Sequence, residues 1–176
     1  MISERRLRAV KPPKLRQWKR LTDVVIAGLL LVFFAPTMTV IALALRIIGG
    51  RVLVGRLYIG ADGHSFRCRS FCPDTPLGEI IHRAGLNGLP HLFNILNGTM
   101  SLVGPHPITE RERTHSSAAR LDAYYACRPG LTGLWHLEHH SGVRYSERLD
   151  QRYVSECSPW LDFAILARTV VVRSRD

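Results

Sequence analysis

The sequence predicts a mainly helical α+β fold with a Pro-kinked, re-entrant membrane helix near the N-terminus, a small β-hairpin, short helices and interfacial helices. Residues 24–45 contain no Asp, Glu, Lys or Arg, which predicts a helix inside a membrane. Residues 51–71 form two strand-like segments around Ala61-Asp62-Gly63, a turn sequence typical of a hairpin. Ser158 and Pro159 precede an apolar pattern with Trp160, which favours a C-terminal helix at the membrane interface.

The length and the net charge of the chain limit its domain organisation and the kinds of partner it can bind. A chain of 176 residues is one core-forming domain by length. We divide it into a basic tail at 1–18, a membrane-inserted helix hairpin at 19–48 and a cytoplasmic domain at 49–176. The formal net charge of +10 favours an anionic partner, which is anionic lipid, a phosphorylated substrate or nucleic acid. A nucleic-acid-binding protein is the least favoured class, because no recognised binding module supports it.

The N-terminal tail is strongly basic. Residues 1–20 include eight Lys or Arg and one acid, Glu4. Next to a membrane segment, this composition predicts a strip that binds anionic headgroups, with about 1 kcal/mol for each basic residue near the surface. Pro12-Pro13 interrupts any helix within the tail.

The uncharged stretch is long enough to cross a bilayer. A helix rises about 1.5 Å per residue, so residues 24–45 would cover a hydrocarbon core of about 30 Å. Pro36 lies near the middle, and proline kinks a helix. Both flanks are basic, with Lys19 and Arg20 before the stretch and Arg46 after it. Because a simple span leaves one flank poor in Lys and Arg, the pattern favours a helix that bends and returns to the same face, and a single span is the alternative.

The hairpin segment contains cations and candidate metal ligands. Arg67 and Arg69 are interpreted as solvated strand residues. His64, Cys68 and Cys72 are spaced by four residues, but the segment predicts a strand and offers no evident fourth ligand, so a zinc site is disfavoured. We recognise no cleavable signal peptide, and we therefore expect reduced thiols rather than disulfides.

The most informative stretch is residues 81–107. Asn87-Gly88 is a strong turn dipeptide. Pro90 predicts the start of a short helix, and Gly98 predicts its end in a left-handed conformation. The following sequence, MSLVGPHP, is a brief apolar run and a loop stiffened by prolines. Residues 108–126 then predict a polar helix with a solvated face.

This stretch resembles the signature of the bacterial sugar transferases, the monotopic polyprenyl-phosphate phosphoglycosyl transferases. The family shows Leu-Asp-Glu-Leu-Pro-Gln and then Asn-Val-Leu-x-Gly-x-Met-Ser-Leu-Val-Gly-Pro-Arg-Pro, and MSLVGPHP differs from the end of that pattern at one position. Residues 127–133, CRPGLTG, resemble the Arg-Pro-Gly-Ile/Leu-Thr-Gly loop of the family. The resemblance covers residues 19–172, nearly the whole chain.

The resemblance implies both a location and a reaction. Family members have a helix-break-helix hairpin in the cytoplasmic leaflet of the bacterial inner membrane and transfer a sugar-1-phosphate from a UDP-sugar to polyprenyl phosphate, in exopolysaccharide or glycan biosynthesis. The Asp of the family's Asp-Glu pair attacks phosphorus and forms a covalent phospho-sugar intermediate, while the Glu holds Mg²⁺. By position, the resemblance implies substrate or phosphate binding by Arg83, His106 and Arg128.

The departures from the family pattern bear on catalysis. Asn87 and Gly88 stand at the positions of the Asp-Glu pair, and His106 stands at the position of an Arg. A neutral amide is a poor nucleophile and glycine offers no side-chain ligand, which puts the implied Mg²⁺ in doubt. An imidazole that is mostly neutral at pH 7 also replaces a permanent charge. The sequence therefore predicts a family member whose transfer activity is lost or impaired.

Two alternatives stay open. An active transferase would need other acids, namely Asp74, Glu79, Glu110 or Glu112, or an Asp formed by deamidation of Asn87. A regulatory protein would bind the nucleotide-sugar, the lipid phosphate or an active homologue without performing the transfer.

Overall fold

The computed structural model describes residues 13–116, 118–137 and 143–173. They form a mainly helical α+β fold with two small sheets. In chain order, the elements are α1 (Pro13–Ile47), β1 (Leu53–Ile59), β2 (Ser65–Phe71), α2 (Pro76–Arg83), a 3-10 turn (Leu86–Gly88), α3 (His91–Asn97), β3 (Ser101–Val103), α4 (Glu110–Thr114), α5 (Ala118–Ala126), β4 (Gly130–Thr132), α6 (Leu134–Leu137), α7 (Val143–Glu156) and α8 (Pro159–Arg173).

Helix α1 confirms the predicted long apolar helix near the N-terminus. Over Gln17–Ile47 it is long and apolar enough to cross a membrane. Val32 and Phe33, near its middle, are 75% and 73% exposed, as lipid-facing side chains would be. The helix is continuous through Pro36. The hydroxyl of Thr39 donates to the carbonyl of Ala35 over 2.9 Å, so its hydrogen bond is made within the helix.

Both halves of α1 pack against the rest of the chain. In the N-terminal half, Ala27 is fully buried in a cluster with Met100 and other residues of the β3 region. In the C-terminal half, Ile41 and Leu45 are buried in a second cluster with Phe71 of β2. The domain formed by residues 49–173 therefore contacts α1 on both sides of its exposed middle.

Strands β1 and β2 confirm the predicted hairpin. They pair antiparallel, with Leu53 opposite Phe71 and Ile59 opposite Ser65. Gly63 has a φ of 80°, a left-handed conformation that glycine adopts without strain. Cys68 is buried, and its Sγ lies 3.6 Å from the Sδ of Met100. Within the described ranges, no group of three or more His, Cys, Asp or Glu could hold a metal ion.

The segment around α3 follows the local sequence signals. Pro90 occupies the position before His91, the first residue of α3, and Gly98 caps its end with a φ of 83°, as the sequence predicts. Strand β3 follows and pairs in parallel with β4, with Ser101 opposite Gly130. Because residues 100–107 and 127–133 are distant in sequence, only the folded chain shows that the two motif loops are neighbours.

A network around Lys19 ties α1 to the domain. The Lys19 Nζ donates to the Val103 carbonyl over 2.9 Å, to the Tyr153 hydroxyl over 3.0 Å and to the Asp162 Oδ2 over 2.6 Å. The Tyr153 hydroxyl donates to the Asp162 Oδ1 over 2.7 Å. Burial and the negative charge of Asp162 raise the pKa of Tyr153. This network joins α1, β3, α7 and α8.

Arg20 and Asp23 extend the same attachment. The Arg20 guanidinium donates to the carbonyl of Leu96 over 2.6 Å at the C-terminal end of α3, where a cation is favourable. Asp23 is buried and accepts hydrogen bonds from the Ser101 hydroxyl over 2.7 Å and the Leu102 N–H over 3.1 Å. The predicted headgroup-binding strip over residues 1–20 is therefore wrong for Lys19 and Arg20, because protein acceptors hold both side chains. Residues 1–12 of that strip lie outside the described residues.

The prediction of one solvated helix over 108–126 is also wrong. The structure divides this segment into α4 and α5. Tyr124 is fully buried, where its hydroxyl donates to the Ile59 carbonyl and lies 3.4 Å from the N–H of Ile108. Because polar residues dominate the segment, its composition does not indicate that Tyr124 is buried and attaches α5 to the hairpin.

Candidate functional site

The Asn87-Gly88 pair lies on a tight turn between α2 and α3. Gly85 has a φ of 64° and precedes the 3-10 turn Leu86–Gly88, and the Leu89 N–H closes the turn by donating to the Leu86 carbonyl over 3.2 Å. Asn87 and Gly88 are both half-buried. The turn thus presents position 87 as a carboxamide and position 88 as bare backbone.

His91 faces this turn and was missed by the sequence analysis. A Cβ built at Gly88 would lie 3.6 Å from the His91 Nδ1 and 3.8 Å from its Cε1. Burial lowers the pKa of His91, because desolvation disfavours the imidazolium. The family pattern has Gln at this position, so the departure at His91 was visible in the sequence beside the two at 87 and 88.

Arg83 lies at the end of α2, on the same segment as the turn. Its guanidinium pairs with Glu79 over 2.6 Å, and the two side chains are 76% and 61% exposed. A pair this exposed contributes little to stability, so Arg83 can exchange Glu79 for a phosphate at small cost. Its role in phosphate binding stays a prediction.

The loops of His106 and Arg128 are joined in the structure. The Gly130 N–H donates to the Pro105 carbonyl over 3.0 Å. A Cβ built at Gly104 would lie 2.4 Å from the Arg128 carbonyl, so the two backbones touch. The His106 N–H donates to the Asp150 Oδ1 over 2.9 Å. Glycine is required at 104 because the other loop occupies the space of a side chain.

A side chain from α6 fixes the His106 ring. The His106 and Trp135 ring centroids are 4.6 Å apart, edge to face. The Trp135 indole N–H donates to the Gly104 carbonyl over 3.2 Å. The imidazole thus sits in an aromatic contact that a long, mobile arginine side chain would not make in the same way.

Arg128 opens onto a cavity of about 1140 Å³. Asp62 and His64 of the hairpin turn and Lys19 and Arg20 of α1 also line it. Arg83, Asn87, Gly88 and His106 are not among its lining residues. The structure therefore brings Arg83 near the Asn87-Gly88 turn along the chain and joins the His106 and Arg128 loops. Of these predicted site residues, Arg128 alone lines the large cavity.

Comparison with known proteins settles the family. Residues 14–176 match the model described as bacterial sugar transferase. This chain belongs to the bacterial sugar transferase family. It is 33% identical to an uncharacterized sugar transferase of Haemophilus influenzae, over 90% of this chain and 41% of that protein. The chain thus spans about two fifths of that relative's length.

Two further relatives are covered over more of their length. The exopolysaccharide production protein ExoY of Rhizobium meliloti is 33% identical over 86% of this chain and 83% of that protein. The UDP-glucose:undecaprenyl-phosphate glucose-1-phosphate transferase of Caulobacter vibrioides is 35% identical over 86% of this chain and 68% of that protein. The family resemblance seen in the motifs is therefore confirmed.

The other acids considered as catalytic replacements each have a structural partner. Asp74 pairs with Arg51 over 2.8 Å. A hydrogen bond from Cys72 and then the hydrogen bond from Arg51 lower the pKa of Asp74. Glu79 pairs with Arg83, and Glu110 pairs with Arg113. Glu112 closes the capping box at the start of α4, where it accepts from the N–H of Thr109 over 2.7 Å. Ion pairs and a helix cap account for all four carboxylates.

The residues at the dyad positions do not fit Mg²⁺. This ion requires hard oxygen ligands and is bound in proteins by carboxylates. Asn87 supplies one amide oxygen and Gly88 supplies no side chain. The neighbouring His91 offers nitrogen, which suits zinc, copper or nickel better than magnesium. The turn therefore offers Mg²⁺ no carboxylate ligand at position 87 or 88.

Proposed function

We propose that this protein is a membrane-bound sugar transferase homologue, at the cytoplasmic face of the bacterial inner membrane, in which transfer of sugar-1-phosphate is lost or impaired. Its ligands are a UDP-sugar and polyprenyl phosphate, in an exopolysaccharide or glycan pathway. The names of the Rhizobium and Caulobacter relatives support the pathway and the two ligands.

The observation that carries the proposal is the turn at Asn87-Gly88. In the family reaction, a carboxylate oxygen attacks phosphorus and UMP leaves, so the sugar phosphate becomes bound to the enzyme. A neutral carboxamide does not supply that nucleophile. Gly88 removes the second carboxylate of the same turn. None of the four alternative acids lies on this turn, so the loss of both groups supports a site that binds without transferring.

A re-entrant position in the membrane agrees with the packing of α1. About 27 Å of helix separates Ala27 from Leu45, at about 1.5 Å per residue, and both residues are fully buried against the same domain. A straight span would place these two positions near opposite faces of the bilayer, where one water-soluble domain could not contact both. A helix that enters and returns, with exposed Val32 and Phe33 deepest, meets both requirements.

Helix α8 supports an interfacial position of the domain. Trp160 and Phe163 are 77% and 64% exposed, with ring centroids 6.2 Å apart. Exposed aromatic rings on a helix suit the headgroup region of a membrane. Asp162, between them in sequence, connects α8 to Lys19 of α1, so the aromatic pair lies near the start of the membrane helix.

The deciding experiment restores the missing dyad. The full chain, reconstituted in membranes with polyprenyl phosphate, Mg²⁺ and a panel of UDP-sugars, is assayed for UMP release. We expect none above the blank for the wild type, and release from Asn87→Asp/Gly88→Glu combined with His91→Gln, which frees the space beside position 88. Asn87→Asp alone is the matched control. Release of UMP by the wild type would show that the proposed loss of transfer is wrong.

A further inference from the structure

The two faces of the β1–β2 hairpin have different surroundings. Because side chains alternate along a strand, Tyr58, Phe66 and Cys68 lie on one face, which packs against the core. The opposite face, which we call the outer hairpin face, consists of Leu53, Gly55, Leu57, Arg67, Arg69 and Phe71. All of these residues except Phe71 are exposed. The hairpin therefore has one face that no described part of the chain covers at most of its positions.

This face is more apolar than a sheet surface that meets only water. The solvated face of an antiparallel sheet normally carries polar side chains, but Leu53 and Leu57 are 43% and 57% exposed. Ile47 and Ile48, where the chain leaves α1 and leads to the hairpin, are exposed by 84% and 56%. Exposed aliphatic side chains grouped in this way favour a partner that can accept apolar groups.

The outer hairpin face is also basic. Asp62, in the hairpin turn, is the only Asp or Glu between residues 24 and 73, a range that contains five arginines. The side chains of Arg67 and Arg69 make no hydrogen bond or ion pair within the described ranges, whereas Arg51 pairs with Asp74. The partner of this face is therefore expected to be anionic as well as apolar.

Glycine at position 55 allows one cation to lie flat on the sheet. A Cβ built at Gly55 would be 2.9 Å from the Cδ of Arg67 and 3.0 Å from its Cγ. The aliphatic stem of Arg67 thus covers the backbone of β1, while its guanidinium stays exposed. This is the arrangement in which a long cationic side chain places its stem on apolar surroundings and its charge at a polar boundary.

The outer hairpin face adjoins the long apolar helix. Phe71 of this face is buried against Ile41 and Leu45 of α1. Arg67 and Arg69 face α1 across a groove that extends along the helix as far as Leu31, beside its exposed middle. A bilayer that surrounds the middle of α1 would therefore also meet the outer hairpin face.

We propose that the outer hairpin face docks on the surface of the bilayer. Leu53 and Leu57 enter the upper part of the acyl chains, and Arg67 and Arg69 contact the phosphates of ordinary anionic phospholipids. The proposal rests on the proposed function, since it needs α1 in the membrane. The face recognises the surface charge of the bilayer and selects no individual lipid. The hairpin arginines thus make the headgroup contacts that Lys19 and Arg20, held by protein acceptors, do not make.

The test measures which lipids lie beside the hairpin. The full chain with Leu57→Cys is labelled at position 57 with the fluorophore NBD, in a Cys127→Ser background, because the other three thiols are buried. It is reconstituted in vesicles of phosphatidylcholine and phosphatidylglycerol without polyprenyl phosphate. A fixed trace of one of the two lipids carries a nitroxide on its headgroup, which quenches NBD nearby.

We expect both nitroxide lipids to quench the label at position 57. Phosphatidylglycerol should be enriched there about fivefold over phosphatidylcholine, the factor given by one basic residue near an anionic surface. Arg67→Gln/Arg69→Gln should make the two lipids quench equally. Arg111→Gln/Arg148→Gln is the matched control, because it removes the same charge at two exposed positions outside this face, and it should leave the enrichment unchanged. Circular dichroism should report the wild-type helix content for each variant.

A second label separates this docking from the membrane position of α1. The full chain with Val32→Cys is labelled at position 32, in the exposed middle of α1, and quenched by a nitroxide deep in the acyl chains. Deep quenching at position 32 with no headgroup quenching at position 57 would overturn the docking and leave the proposed function intact. Equal loss of enrichment in the two arginine pairs would also overturn it. A label at position 32 that is not quenched would show that both proposals are wrong.

Discussion

The network that attaches α1 to the domain allows a quantitative prediction of the stability lost when Lys19 is replaced. Lys19→Met keeps most of the aliphatic stem and removes the ammonium. The ammonium makes three hydrogen bonds, including the ion pair with Asp162 at 2.6 Å. The two side chains of the pair are only 20% and 17% exposed, so water compensates poorly for the lost charge.

The cost follows from that geometry. Hydrogen bonds to charged groups contribute about 1.5–3 kcal/mol, and breaking a fully buried ion pair costs about 3–5 kcal/mol. Because Asp162 keeps its hydrogen bond from Tyr153, we place Lys19→Met at about 2–3 kcal/mol. For a chain of this size, 1 kcal/mol shifts Tm by about 2–4 °C. We therefore expect Tm to fall by about 4–12 °C.

The assay is thermal unfolding of detergent-solubilised full chain, followed by tryptophan fluorescence. Arg51→Met is the matched control, because its pair with Asp74 has a similar length of 2.8 Å but side chains that are 76% and 50% exposed. Exposed pairs contribute about 1 kcal/mol or less. Adding Asp162→Asn to Lys19→Met should recover part of the loss, since the uncompensated carboxylate is removed. If Lys19→Met shifts Tm no more than Arg51→Met does, the inference that the Lys19 network stabilises the contact between α1 and α8 is wrong.

Other substitutions test the motif loops, the turn and the core. Gly104→Ala places a Cβ 2.4 Å from the Arg128 carbonyl, so it should lower the free energy of unfolding, measured by chemical denaturation, by about 3 kcal/mol or more. Gly63→Ala is the control, because its Cβ would lie in open space at a φ of 80°. It should lower the free energy of unfolding by about 1–2 kcal/mol. The lowered pKa of His91 means that the unfolded chain binds a proton more readily than the folded chain. The free energy of unfolding of the wild type should therefore fall relative to that of His91→Gln as pH falls below 6.5, by at most about 1.4 kcal/mol per pH unit. Burial raises the pKa of Cys68 to about 12, so mass spectrometry should find it alkylated at pH 8 only after denaturation.

Local signals in the sequence predicted the elements that depend on neighbouring residues. The absence of charge over 24–45 predicted the long apolar helix α1, Ala61–Gly63 predicted the hairpin turn, and Pro90 with Gly98 predicted the ends of α3. Each of these features is fixed within a few residues by solvation or backbone conformation. The sequence pattern was sufficient wherever the physical cause was local.

The interpretation failed where a side chain meets a distant partner. The sequence predicts a headgroup-binding strip over residues 1–20, which includes Lys19 and Arg20, because basic residues beside a membrane segment normally have that role. The acceptors of Lys19 and Arg20, in β3, α3 and α8, lie far away in sequence. The pairing of β3 with β4 was not predicted either, because parallel strands are joined by long connections that leave no local sequence signal.

The motif matches have a physical cause that separates family membership from activity. A Cβ at Gly104, Gly130 or Gly133 would lie within 2.4 Å of backbone atoms of the facing loop, so packing alone requires glycine at all three positions. The turn at 87–88 carries no such constraint, because a Cβ at Gly88 would meet only the His91 ring, at ordinary contact distance. The fold can therefore keep its Gly-Pro and Arg-Pro-Gly loops while the turn exchanges Asp-Glu for Asn-Gly. Strong matches in those loops are evidence for the fold, and only the side chains at the turn report on the chemistry.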